Sequence, residues 1–82
     1  LDIAKQFREF IIDNFMLGRA PEELTDDASL LDKGIIDSTG VLELVGFIEQ
    51  TFGITVEDDE LVPKNLDSVQ NLTDYVTRKL NK

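Results

Sequence analysis

The sequence predicts an all-α fold: a four-helix bundle of three main helices and one short helix, with a long loop between the first two main helices. Three observations carry that expectation. Apolar residues recur every three or four positions in three separate stretches. No stretch alternates apolar and polar residues in the manner of a half-exposed strand. The chain has 82 residues, which is one domain over residues 1–82 with room for a single core.

The first stripe runs through Ile3, Phe7, Phe10, Ile11, Phe15 and Leu17 and predicts a helix over 3–17, capped by Asp2 and stopped by Gly18. Periodicity then disappears until Asp37. Pro21, Asp26-Asp27, Ser29 and Gly34 mark this stretch as a connection, and Leu24, Leu30, Leu31, Ile35 and Ile36 are available to pin it to the core. Val41, Leu44, Val45, Ile48 and Phe52 make the clearest stripe, a helix over 38–52 ended by Gly53. Ile54-Thr55-Val56 reads as a short extended piece. Glu57 to Val62 then reads as one or two helical turns that Pro63 blocks from continuing. Asp67 to Gln70 resembles a capping box with Asp67 as the cap, opening a last stripe of Val69, Leu72, Tyr75, Val76 and Leu80.

Composition excludes more than it specifies. Cysteine and histidine are both absent, which removes disulfides, thiolate zinc sites, cysteine nucleophiles and the usual general base. Seventeen acids against eight bases give a net charge of −9, a surface that repels nucleic-acid phosphates and anionic lipid and attracts basic protein patches. No apolar run reaches the roughly 20 residues that cross a bilayer, so neither nucleic acid nor membrane is an expected partner and the cytoplasm is the expected location. Asp32 to Glu43 has the length of a calcium loop, but its third, fifth and sixth positions hold Gly34, Ile36 and Asp37, where ligands and a glycine are needed. The acids Glu57 to Glu60 read as a solvated face. No metal site is expected. Lys33 or Asp37 has no geometry by which to activate Ser38, and no oxyanion-hole motif accompanies them, so intrinsic catalysis is not expected either.

Gly34-Ile-Ile-Asp37-Ser38 is the stretch that carries function. It places one hydroxyl at the tip of a long helix, beside a loop. Ser38 then reads either as an N-cap or as the attachment point of a phosphate-linked group, whose charge the helix N-terminus tolerates. With the following Thr-Gly-Val-Leu-Glu43-Leu-Val-Gly-Phe-Ile-Glu49-Gln-Thr-Phe52-Gly53-Ile, this stretch resembles the core of acyl carrier proteins, and the segments after Ile54 and Leu66 resemble the entrances to that family's third and fourth helices. The similarity runs through essentially the whole chain in order.

The resemblance implies that Ser38 carries 4′-phosphopantetheine transferred from coenzyme A, with Asp37 as its motif neighbour. It implies a non-catalytic, monomeric carrier holding an acyl or aminoacyl group as a thioester. The partners it implies are a phosphopantetheinyl transferase, an acyl- or aminoacyl-loading ligase, and a downstream transferase or synthase with basic surfaces. In this family partners approach the second helix, where Leu42, Glu43, Gly46 and Glu49 are the expected contact residues. Thr39 and Gly40 stand where relatives often have leucine and an acid, and Gly46 where fatty-acid carriers are bulkier. Phe47 is expected to fill space that a long acyl chain would use, so a short acyl or aminoacyl cargo fits as well as a fatty acyl or polyketide one. The alternative is an unmodified acidic adaptor in which Ser38 is a cap and nothing more.

Overall fold

The computed structural model describes residues 2–81. Four helices follow in order: α1 (Ile3–Phe15), α2 (Ser38–Phe52), α3 (Pro63–Leu66) and α4 (Val69–Leu80), with single 3₁₀ turns at Pro21–Glu23 and Asp58–Glu60. The stripes meet in one core. Phe7 and Ile11 from α1, Leu44 and Ile48 from α2, and Val69, Leu72 and Val76 from α4 have no exposed surface at all, which is where a small domain draws most of its stability. Helix α4 is the hub, packing against each of the other three.

The ends of α1 and α2 follow the capping rules. Asp2 accepts a hydrogen bond from the Lys5 backbone N–H at 3.0 Å, and Gly53 closes α2 in the left-handed region at φ 68°. Three expectations need correction. Helix α1 ends at Phe15, so Met16 turns into the core while Leu17, expected on the apolar stripe, is 99% exposed. The expected turn within Glu57–Val62 is present as the 3₁₀ turn Asp58–Glu60, but Pro63 opens the short helix α3 rather than blocking continuation; the missing N–H of a proline costs nothing at the first helical position. The cap of α4 is Ser68, whose Oγ accepts from Asn71 N at 3.0 Å. Asp67 is unavailable for that role because its carboxylate is committed to the long loop.

That loop is ordered by bonds to the start of α4. Leu30 N donates to the Asp67 carbonyl at 2.8 Å, and Gln70 N to the Asp26 carbonyl at 2.8 Å. The Asp67 carboxylate accepts from Leu31 N at 2.9 Å and from the Ser29 hydroxyl. Leu24, Leu30, Ile35 and Ile36 are buried as expected, whereas Leu31 is 44% exposed. At the other side, Glu60 accepts from Glu57 N, Tyr75 Oη and Lys79 Nζ, each at 2.9 Å. These bonds, the Glu57 backbone N–H first and Lys79 next, hold its carboxyl down to about 2. Tyr75 is pushed well above the ordinary phenol range, first by burial and then by its bond to Glu60. The cluster ties the segment before α3 onto α4.

Candidate functional site

The loop delivers the motif to the tip of α2 through a chain of backbone bonds. The Leu30 carbonyl, fixed by Asp67 on its amide side, accepts from both Ile35 N at 2.9 Å and Ile36 N at 3.2 Å. Gly34 makes the turn between them at φ 67°, a conformation that costs glycine little and other residues much. Ile35 and Ile36 are then buried, and Asp37 and Ser38 emerge at the surface.

Asp37, not Ser38, is the N-cap. Its backbone is extended, its Oδ1 accepts from Gly40 N at 2.8 Å, and its carbonyl accepts from Val41 N at 3.0 Å. Ser38 is therefore the first residue of the helix, exposed, with its hydroxyl outside the cap. The reading of Ser38 as the cap is set aside by this geometry: one side chain fills that role, and the acid stands one position earlier. Of the first four helical N–H groups, those of Gly40 and Val41 are thus satisfied by Asp37, while those of Ser38 and Thr39 lie in the unpaired first turn beside the hydroxyl. A phosphate ester on that oxygen sits at the positive end of the helix dipole. Accessibility, an uncommitted hydroxyl and unpaired N–H groups together fit a phosphopantetheine linkage.

Gly40 has a steric reason. A Cβ there would meet Ile36 Cγ2 and Phe15 Cε1, both at 3.0 Å, whereas at Gly46 it would meet nothing within 4 Å. Gly40 lets the loop and the end of α1 close onto the first turn of α2. The two glycines should accordingly respond in opposite directions. Gly46→Ala should stabilise by about 0.5–1 kcal/mol through helix propensity. Gly40→Ala should destabilise by about 1 kcal/mol, overpacking outweighing the same propensity gain. Urea melts of the two variants check this, and shifts of the same sign would contradict it.

The four residues expected on the partner face are all exposed, but they do not act as one group. Leu42 is 67% exposed. Glu49 bonds Val56 N at 2.9 Å, so it holds the Ile54–Val56 segment beside α2. Glu43 and Gly46 lie on the opposite flank, in a hollow shared with α1. Phe47 also belongs to that flank, stacked on Phe10 with ring centroids 4.1 Å apart. Its ring is committed to packing α1 against α2, with Phe7 also packed against it at 5.7 Å. An apolar cavity of about 90 Å³ is walled by Leu30, Leu31, Val41, Leu61, Val62, Pro63 and Leu66, with Asp67 as its polar edge. Val41 is one turn along the same helix face from Ser38. Sequence reading missed this wall because Leu61 and Val62 precede a proline and belong to no stripe.

Among the described residues, no group of three or more acidic side chains is placed to hold a metal ion, and no helix is long and apolar enough to cross a membrane. The family described as "Phosphopantetheine attachment site" matches residues 16–76. An acyl carrier protein of Petrotoga mobilis is 31% identical over 80 residues, covering 98% of this chain and 89% of its own. One of Zymomonas mobilis is 28% identical over 75 residues, covering 92% and 91%. The solution structure of a holo acyl carrier protein from Nitrosomonas europaea superposes with a TM-score of 0.80 at 25% identity over the full length of both chains. With the four-helix fold and an open hydroxyl at the tip of α2, these similarities identify the chain as a member of the acyl carrier protein family, a non-catalytic carrier with a phosphopantetheine attachment site.

Proposed function

We propose that Ser38 is the attachment residue and that the 82 residues act as one monomeric carrier domain in the cytoplasm. The observation that carries this reading is the division of labour at the tip of α2. Asp37 takes the structural role, and Ser38 is left with an exposed, uncommitted hydroxyl. Once attached, the arm supplies the thiol on which cargo is held as a thioester. The chain's own contribution is to present that attachment point rigidly. Buried Ile35 and Ile36 anchor one side and the first turn of α2 the other, while tethering raises the local concentration of cargo at each partner enzyme.

The partners are a phosphopantetheinyl transferase, a loading ligase and a downstream transferase or synthase, approaching with basic surfaces toward a strongly acidic carrier. Leu42 offers them an exposed apolar contact and Glu43 a charge, while Glu49 combines its charge with the bond to Val56 N. A short acyl or aminoacyl cargo suits the cavity of about 90 Å³ near Val41, because a long chain would have to displace the Leu61–Leu66 wall that Glu60 and Asn65 fasten to α4.

The absence of cysteine gives a direct test. After incubation with coenzyme A and a broad-specificity transferase, followed by removal of small molecules, thiol titration should find one thiol per chain. A chain that remains without thiol would refute the carrier assignment of Ser38, since no side chain of its own contributes to that signal.

A further inference from the structure

Helices α1 and α2 do not close on each other along their outer edge. Between them run two adjoining hollows of about 310 and 370 Å³ that share Phe10, Asn14 and Phe47. Their floor is the Phe10–Phe47 stack, in which the ring planes are inclined by only 17°. Both rings are half-buried. Phe47 is backed by Phe7 and Phe52 at centroid distances of 5.7 and 6.1 Å. The rim is acidic: Glu9 and Asp13 stand on the α1 side and Glu43 on the α2 side, and no lining residue is basic. The trough stays open because Gly46 contributes no side chain to it. From Gln6 to Asn14 the α1 wall is about 12 Å long at 1.5 Å per residue, two turns of a docked helix.

An apolar aromatic floor under three carboxylates is complementary to one kind of group. A guanidinium is flat and weakly hydrated enough to rest on apolar aromatic surface, and it pairs with carboxylates through a planar fork of donors. An ammonium is compact and strongly hydrated, and a neutral apolar chain would leave the rim unpaired. We propose that the α1–α2 trough is a second docking surface, which takes an arginine-bearing amphipathic helix of a partner protein. The guanidinium lies against the Phe10–Phe47 stack, and Glu9, Asp13 and Glu43 meet its charge. This rests on the reading of Glu43 and Gly46 as partner-facing and adds α1 to it. It places a contact on the flank of α2 away from the cavity that Val41 lines.

The test is a titration of the unmodified ¹⁵N-labelled chain with a synthetic amphipathic helical peptide bearing arginines at i and i+4, beside its all-lysine counterpart. Amide shifts should concentrate in residues 6–14 and 43–50. The lysine peptide should bind several-fold more weakly. Glu9→Lys with Asp13→Lys should weaken the arginine peptide by about tenfold or more, and the charge-matched pair Glu22→Lys with Asp27→Lys much less. Gly46→Leu puts a side chain into the trough from a position where an added Cβ meets nothing within 4 Å, and it should block binding in a chain whose circular dichroism is unchanged. Absence of binding overturns the proposal, as do shifts spread over every acidic face or equal losses from the two charge-reversed pairs. Loss with Glu43→Lys but not with Glu9→Lys and Asp13→Lys removes α1 from the surface and leaves only the α2 reading. Because the titration needs no modified serine, its failure is separable from failure of Ser38 as the attachment residue.

Discussion

Ser38→Ala should abolish labelling by a phosphopantetheinyl transferase while leaving the fold essentially unchanged. The first half follows from the proposed chemistry, since alanine has no oxygen to accept the phosphate ester. The second half follows from the structure. The cap bond to Gly40 N belongs to Asp37, so alanine at position 38 removes no hydrogen bond that α2 relies on, and it favours helix slightly. Stability should stay within about 0.5 kcal/mol of the parent, the usual range for a surface change. Asp37→Ala should behave in the complementary way, losing about 0.5–2 kcal/mol with the cap while retaining a modifiable hydroxyl. Labelling with a fluorescent coenzyme A analogue, paired with thermal melts, checks both variants. An alanine variant that still takes the label, or that loses its helix, would contradict this division of labour.

Asp67→Ala should be among the most damaging polar substitutions in the chain. Its carboxylate accepts from Leu31 N and from the Ser29 hydroxyl, and Ser29 Oγ in turn accepts from Asp32 N. Two charge-assisted bonds at about 1.5–3 kcal/mol each are lost together, and they share one carboxylate, so a total of about 2–4 kcal/mol is expected. For a domain of this size that is a large part of a stability of about 4–12 kcal/mol, and the melting temperature should fall by roughly 10–25 °C. The loss should also reach the site. The two lost bonds flank Leu30, at Ser29 and Leu31, while its own bond to the Asp67 backbone carbonyl survives; Leu30 holds Ile35 and Ile36 through its carbonyl, so hydrogen exchange should quicken from residue 30 to 37 before it does in α1. A double-mutant cycle with Ser29→Ala should show coupling. A change under about 0.5 kcal/mol would mean that the loop is held by its buried leucines and isoleucines alone.

Much of the fold was legible because it rests on local rules. Helical stripes, the Asp2 cap and the Gly53 stop depend on nearest neighbours and can be read without the rest of the chain. Readings failed where a tertiary partner decided between two plausible local roles. Asp67 and Ser68 are both good caps; the loop's claim on Asp67, made by residues more than thirty positions away, left the role to Ser68. Pro63 reads equally as a stop or a start, and the choice depended on where the chain turned toward α4. Phe47 was legible as apolar, but its stacking on Phe10 was not, because the two rings meet only in the folded bundle. At the site, the Asp-Ser pair and its helix were visible in the sequence. Which of the two caps the helix was not, because both residues accept hydrogen bonds and only the backbone geometry assigns the position.

The most direct test of the central claim is to locate the modification. The wild-type chain is loaded by a transferase from coenzyme A, digested, and its peptides are sequenced by tandem mass spectrometry. The arm should be found on Ser38 alone. An arm on Thr39, Ser29 or Ser68, or distributed among several hydroxyls, would contradict the assignment, because Ser38 directly follows the cap Asp37 with an exposed, uncommitted hydroxyl, whereas the hydroxyls of Ser29 and Ser68 are hydrogen-bonded.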